Sequence, residues 1–414
     1  MKQQNYSGPG QAPKVLIFLT VFLYLVGFGI IIPILPLLGK ELGGSAIQVG
    51  WLMAIYSLMQ FLFAPFWGQL SDRHGRRMIL VGCLLAEAFT YVWFAFARDF
   101  WSLLLARGLA GFFGASLSTA SAYISDITPP KERSKGMALI GVAFGLGFVI
   151  GPAIGGSMIH LAKQFSSEPL IGSTVAALFV GALCLGTFVF AYFKLPESLP
   201  PEKRKTVSEK YKLNRFRGIL NKFELPKLRP LLSVYFLSGL AMASMEATLV
   251  LFVGQYFGWS SDKVSYGFAY VGIIIVFTQG FLVRRLLPML GERAIAAAGL
   301  AAFAMGMGGI AIAQSIEQLA VAMTLLSLGN GCVNPSMLGS ISLASSETEQ
   351  GENLGIAQSL SSLGRILGPL LGGMLFDSFS ITAPFSFAMI LGALALVIVL
   401  INFKSLPDSR SANL

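Results

Sequence analysis

Charge is what this 414-residue chain has least of. Asp, Glu, Lys and Arg together make up 12% of it, against about 25% in an ordinary soluble domain. So few charges cannot cover the surface of a water-soluble globule, which excludes a soluble fold. Histidine is almost missing: His74 and His160 are the only two, both near loops. The three cysteines, Cys83, Cys184 and Cys332, are scattered through apolar runs. That set offers neither a disulfide framework nor a metal-ligand spacing, so no metal or cofactor is expected. Acids are outnumbered by bases and the formal charge is +10. The bases fall in a few short loops with no continuous basic face, which argues against a nucleic-acid partner. No nucleophile–base pair is visible. The glycine-rich segments that resemble phosphate loops lie inside apolar runs and lack the Lys-Ser/Thr ending, so neither an enzyme nor ATP coupling is expected.

What is abundant is apolar length. Hydrophobic residues are 55% of the chain, and the mean hydropathy is +0.71. A helix needs about 20 apolar residues to cross a bilayer. Twelve windows meet that requirement, near 14–38, 47–67, 78–97, 101–122, 136–159, 171–193, 229–253, 264–287, 293–314, 318–341, 355–376 and 381–403. The first is too long for a signal-peptide core and has no small-residue cleavage site after it, so it reads as a retained span. The windows split six and six around a polar stretch at 194–228. The expected organisation is therefore an N-terminal six-helix bundle at 1–193, a cytoplasmic linker at 194–228 and a C-terminal six-helix bundle at 229–414. Within the linker, Lys210 to Phe223 alternates basic and apolar residues, which suits either an interfacial amphipathic helix or a plain basic tether.

Lys and Arg set the orientation. Lys40, Arg98, Lys163 and Lys263 fall in one set of alternate loops and Arg107 and Arg365 inside spans, while the remaining 24 of 30 fall in the other loops and the termini. Both termini and the linker are thus expected on the cytoplasmic side of a cell membrane. The acidic loop SSETEQGEN at 345–353 also falls on that side, and acids count little in this rule.

The chain also repeats itself. Gly147 to Gly156 reads GFVIGPAIGG and Gly364 to Gly373 reads GRILGPLLGG, 217 residues apart. A repeat at about half the chain length signals two copies of one unit, and paired repeats around a midplane cavity are a transporter architecture. GQLSDRHGRR follows span 2, and a degenerate version, Gly280-Phe-Leu-Val-Arg-Arg285 then Gly291-Glu-Arg293, follows span 8 without the acid. In the first version, Gly68 would let the end of span 2 approach a neighbouring helix closely. Asp72 would meet a helix N-terminus or an arginine across an interface. Gly75 would permit a tight turn, and Arg73, Arg76 and Arg77 would hold the cytoplasmic side.

These segments resemble the major facilitator superfamily. GQLSDRHGRR is similar to its motif A, ARGLAGFFGA around Arg107 to motif B in span 4, and GFVIGPAIGG to motif C, the antiporter signature of span 5. APFWGQLSDRHGRR and the IIPILP of span 1 are most similar to the twelve-span drug/proton antiporters, tetracycline exporters among them. The resemblance implies an all-α membrane protein, twelve transmembrane helices in two pseudo-symmetric six-helix bundles. It implies a gating relay of Asp72 and Arg76 with Asp126 and Arg133, a proton-coupling role for Arg107, and a close helix contact through Gly147, Gly151, Pro152, Gly155 and Gly156 that closes the periplasmic side. It also departs from the family pattern. The exporters' span 1 acid aligns with Tyr24 here, and their span 3 acid aligns near Thr90, with Glu87 one turn away. That argues against tetracycline itself and for a relocated proton site.

Glu87, Arg107, Glu246 and Arg365 are the charges expected well inside spans, each a functional candidate because burying it there is costly. A carboxylate in low dielectric holds its proton more tightly, as a proton carrier requires. Glu246, amid Ala241, Ala243, Ser244 and Ala247, is the first choice for coupling to a proton or sodium ion. The alternative is a structural ion pair with Arg365. Glu87 is the second choice, and its alternative is a polar residue near a span edge packed against the other half. Polar cavity candidates are Tyr24, Tyr56, Gln60, Gln279, Asn330 and Asn334, with Arg365 as a contact for anionic cargo or lipid phosphate. Tyr56 and Gln60, four apart, share a helix face.

The expected function is secondary active transport by alternating access, a proton-coupled antiport (efflux) of a small amphipathic or lipophilic compound by a monomer, in the bacterial inner membrane. The alternatives are a transporter of an organic anion, sugar or lysolipid, or a non-transporting receptor.

Overall fold

The computed structural model describes residues 11–128, 133–166, 168, 170–204, 225–345, 350–403 and 406. Among these residues there is no β-strand; long helices follow one another from end to end. In chain order they are α1 (Gln11–Glu41), α2 (Ala46–His74), α3 (Arg76–Phe96), α4 (Phe100–Gly114), α5 (Leu117–Ile127), α6 (Arg133–Phe165) and α7 (Ile171–Lys194). After the linker come α8 (Arg229–Tyr256), α9 (Ser261–Phe277), α10 (Arg284–Ile312), α11 (Ile316–Leu343), α12 (Gln350–Ser378) and α13 (Ala383–Ile401). A π-helical segment, Thr278–Val283, joins α9 to α10.

Eleven stretches among the described residues are long and apolar enough to cross a bilayer. One of them, Ser261–Ile312, is 52 residues long, more than twice the roughly 20 that one crossing takes. Gly291, inside α10, has φ +79° and breaks it in two. That backbone region is open to glycine and closed to most other residues. Divided at Gly291, the stretch supplies two spans and the total is twelve. The duplication is also written in the backbone. Glycines with positive φ sit at 43 and 75 in the first half and at 258 and 291 in the second. Gly43 and Gly258 turn the chain after its first and seventh spans, Gly75 and Gly291 after its second and eighth. The segment 210–223, expected as either an amphipathic helix or a tether, lies outside the described residues, as do 346–349 of the acidic loop.

The chain divides into two compact units. The first comprises Met1–Ile34, Leu58–Lys210 and Ser261–Ala269; the second comprises Leu35–Ser57, Tyr211–Ser260 and Tyr270–Leu414. Each sequence half thus lends a piece to the other unit: the end of α1 with the start of α2 goes one way, the first turns of α9 the other.

In the first unit, α3 packs on α4 and α7, and α6 on α7. Its core includes Ile17, Leu25, Leu84, Tyr123, Ile124 and Ala191. In the second unit, α8 packs on α12 and α13, and α10 on α11 and α13. Its core includes Leu231, Leu300, Val333, Met337, Ile341 and Ala357. Lipid gives apolar side chains no reason to leave it, so such helices associate through close contact of small residues. The GPxxGG copies show how. A Cβ on Gly151 would stand 2.7 Å from the carbonyl oxygen of Val26, and one on Gly147 2.8 Å from that of Leu25, so α6 lies directly on the backbone of α1. In the second unit a Cβ on Gly368 would stand 2.7 Å from the carbonyl oxygen of Leu240, and one on Gly372 2.9 Å from that of Ser244. Here α12 lies on α8 in the same way.

Two embedded acid–arginine couples and a charged loop

Glu87 stands in the middle of α3, 1% exposed, and Arg107 in the middle of α4, 2% exposed. The reading of Glu87 as a span-edge residue packed against the other half is corrected: it is mid-helix, and the charge acting on it belongs to its own unit. That charge is the Arg107 guanidinium, which lies within electrostatic reach of the carboxyl group. The Arg107 guanidinium also lies over the Phe28 ring of α1, 5.6 Å from its centroid, a favourable site for a cation. Phe144 and Phe148 of α6 pack against Phe28 at 6.3 and 6.2 Å. Glu87 Oε1 has no hydrogen-bond partner among the described residues. Cys83 and Cys184, both buried, lie within electrostatic reach of the carboxyl group.

The second unit holds the other pair. Glu246 lies on α8 and Arg365 on α12, both half-buried, with the guanidinium in electrostatic reach of the carboxylate. Arg365 acts on Tyr235 of α8 as well, and Ser361 of α12 lies beside the Tyr235 hydroxyl. Pair, tyrosine and serine thus line the α8–α12 seam that Gly364, Gly368 and Gly372 draw together.

The polar cavity candidates divide between the units. Tyr24 packs in the first unit's core and lines a small crevice with Thr20, Leu84 and Ser116. Gln60, also of the first unit, donates from Nε2 to the carbonyl oxygen of Gly114 at 3.2 Å. That bond satisfies a carbonyl at the end of α4. Tyr56 is buried in the second unit. Asn330 and Asn334, one turn apart on α11, are half-buried. The π-helical segment leans on the same helix: a Cβ on Gly331 would come within 2.8 Å of Thr278. Gln279, next to Thr278, is exposed.

At the charged loop, α2 ends and Gly75 turns the chain with φ +103°. Arg76 is buried and gathers four groups. It forms an ion pair with Asp72, donates from Nε to Asp126 at 3.2 Å and from Nη1 to Ser71 at 2.7 Å, and gives its backbone N–H to Glu197 at 2.8 Å. The side chain of Arg133 lies outside the described residues. Arg77 caps the carbonyl of Tyr192 and lies 5.7 Å from the centre of its ring, while Arg73 is exposed.

Among the described residues a Cβ on Gly68 would meet nothing within 4 Å, so the close helix approach expected there is not found among them; Trp67, next to it, donates to the carbonyl of Phe112 on α4. Asp72 pairs with Arg76 one turn on in the same loop, and a second acid, Glu197 from the start of the linker, stands at a helix N-terminus. Its carboxylate takes the first free N–H groups of α3 at Arg76 and Arg77, where an anion is favoured. Tyr123 donates to the carbonyl of Pro196 at 2.8 Å, and Ser198 to Asp126 at 3.1 Å, which fastens the linker start to α5. The signal for Glu197 was an acid set among prolines just after a span.

Comparison with known proteins agrees with this geometry. The model of the Major Facilitator Superfamily matches residues 17–316 and 280–413. The class E tetracycline resistance protein of Escherichia coli is 32% identical over 365 residues, which cover 86% of each chain. Multidrug resistance protein 2 of Bacillus subtilis is 26% identical over 400 residues, 96% of this chain and 97% of that one. The crystal structure of the human organic anion transporter MFSD10 superposes with a TM-score of 0.70 at 27% identity, over 94% of this chain and 100% of that one.

Proposed function

Because the chain belongs to the major facilitator superfamily and is a multi-span membrane transporter, we propose that it is a proton-coupled antiporter that exports a small amphipathic or lipophilic compound. The observation that carries this reading is the half-buried Glu246–Arg365 pair on the α8–α12 seam. A proton carrier has to exchange with water on one side and then the other, and it has to hold its proton when water is excluded. A half-buried carboxylate beside a half-buried guanidinium fits that demand. When Glu246 takes a proton, Arg365 loses its partner and is free to meet another anion; when Glu246 releases it, the pair re-forms. Cargo and proton thereby compete for one charge balance, which is the essence of exchange.

Glu87 and Arg107 play a supporting part in this proposal. Their pair, closed off by Phe28, holds α3, α4 and α1 in one arrangement and sets the field of the first unit. Tyr24, Tyr56, Gln60, Gln279, Asn330 and Asn334 remain candidate cargo contacts. The charged loop, with Gly68, Asp72, Arg73, Gly75, Arg76, Arg77, Asp126 and Arg133, is the cytoplasmic gate of the cycle, and Glu197 belongs with it. The distribution of Lys and Arg favours both termini and the linker on the cytoplasmic side of a bacterial inner membrane, with the halves 1–193 and 229–414 rocking about the linker at 194–228.

The test is exchange in proteoliposomes under an imposed proton gradient, with sodium replaced by choline in a parallel arm. Coupled flux that survives without sodium, collapses with an uncoupler and is absent in Glu246→Gln supports the reading. Glu246→Gln running at the parent's rate across the same gradient overturns it. A second reading has a specific observation behind it. The likeness to an organic anion transporter at 27% identity and the half-buried Arg365 together favour an anionic cargo held by Arg365. Arg365→Gln would then abolish binding of an anionic probe and spare a neutral lipophilic one.

A further inference from the structure

Position 160 on α6 and position 377 on α12 are separated by 217 residues, the same offset as the two GPxxGG copies. Each stands one helical turn after the last glycine of its copy, on the same face. In both copies that glycine touches the first turn of an incoming helix. A Cβ on Gly156 would lie 3.0 Å from Ser265 Cβ and 3.2 Å from the carbonyl oxygen of Asp262, at the start of α9. A Cβ on Gly373 would lie 2.7 Å from Ile47 Cα, at the start of α2.

The polar residue one turn on then clasps the same helix start. Asp377 accepts the backbone N–H groups of Ala46 at 3.1 Å and Ile47 at 2.9 Å. The first amides of a helix have no partner within it and carry its positive dipole end, so a carboxylate is favoured there. A reciprocal Ser45–Gln48 capping box supports the same helix start: Gln48 Oε1 accepts from Ser45 N at 2.8 Å, and Ser45 Oγ from Gln48 N at 3.3 Å. In the other copy the placement is reversed. The acid is on the incoming helix, where Asp262 lies in the first turn of α9, and the basic side chains are on α6. His160 Nδ1 stands 3.5 Å from Asp262 Oδ2, and Lys163 Nζ 3.8 Å from Asp262 Oδ1. With His160 56% and Lys163 40% exposed, this clasp is the weaker one.

We propose that Asp377 with the N-terminus of α2, and His160 and Lys163 with Asp262, are repeat-related latches at the membrane end opposite the GQLSDRHGRR loop. Each joins a helix of one sequence half to a helix of the other: α12 to α2, α6 to α9. Alternating access between the halves has to release both before that end opens. This inference rests on the alternating-access reading above, and it assigns positioning residues rather than cargo contacts.

The test uses the full chain in lipid vesicles and a membrane-impermeant maleimide. Reporter cysteines replace buried side chains beneath each latch, Val49→Cys below the first and Ser265→Cys below the second, with the background from the native cysteines subtracted. Asp377→Asn is expected to raise labelling of Val49→Cys about fivefold, the weight of one charge–helix contact. It is also expected to raise labelling of Ser265→Cys, because both latches must release together. Asp262→Asn should act on both reporters in the same sense and less strongly, and Asp377→Glu should stay near the parent. A matched unfolding midpoint in every variant ties the change to opening and not to misfolding. Unchanged labelling in Asp377→Asn, or a rise confined to the reporter beneath the altered latch, overturns the proposal. Exchange measured in the same vesicles keeps the two readings apart. Labelling that responds in a chain without exchange supports the latches and overturns the antiport reading; exchange with labelling that never responds does the reverse.

Discussion

The two membrane-embedded couples of an acid and an arginine are the same chemical answer placed in different surroundings. In the first unit Glu87 and Arg107 are sealed, 1% and 2% exposed, with a phenylalanine ring over the guanidinium. In the second, Glu246 and Arg365 are both half-buried. A sealed pair cannot trade protons with water without first opening its surroundings, and removing one partner strands the other in low dielectric. The Glu246–Arg365 couple, partly exposed at the α8–α12 seam, needs less opening. On the antiport reading proposed above, one duplicated scaffold then divides rigidity and exchange between its copies.

The largest effect expected from this contrast is on flux. Glu246→Gln brings proton-coupled exchange down to background and removes its pH dependence, while Glu87→Gln keeps most of the flux; the measurement is exchange in proteoliposomes over a pH series. If Glu87→Gln is the silent one, the two roles are reversed. Next comes stability. Arg107→Ala leaves Glu87 without its cation and is expected to destabilise the protein by about 3–5 kcal/mol, whereas Arg365→Ala, at a half-buried site, is expected to cost less. Thermal unfolding in detergent reads both, and equal losses would break the comparison.

A smaller effect sharpens it through packing. Gly151→Val and Gly368→Val each push a side chain into a neighbouring carbonyl and should cost about 1–3 kcal/mol, while Gly68→Ala, with open space at its Cβ, should leave the unfolding midpoint unchanged. The smallest is Glu197→Gln, which weakens the anion at the N-terminus of α3 by about 0.3–1 kcal/mol; an urea or thermal titration at low salt resolves it.

The scaffold was legible because lipid simplifies the code. Span length, the paired GPxxGG segments and the polar linker are each local patterns, and they led to twelve helices and a duplicated fold. The helix that ran on from α9 through α10 did not hide a span, because Gly291 marks the turn. Contacts between distant parts of the chain were harder to read. Glu197 reaches Arg76 across 121 residues, and Asp377 reaches Ala46 across 331. In sequence each is an acid near the end of a span, where acids are common and mostly solvated. Gly68 is the opposite case: its motif suggests a tight helix contact, and no described residue lies within 4 Å of its Cβ position. Gln60 and Tyr24 show the same limit, since no local pattern says that one also serves a helix end and the other packs in a core.

The exchange of segments between the compact units bears on how the polypeptide is made. The first unit is not complete until Ser261–Ala269 has joined it, and the second takes Leu35–Ser57 from near the beginning. A ribosome must therefore have emitted nearly two thirds of the message before the earlier-born unit can close. Until then, the helix-start amides of Ala46 and Ile47 wait at the bilayer surface for an aspartate that has yet to be translated.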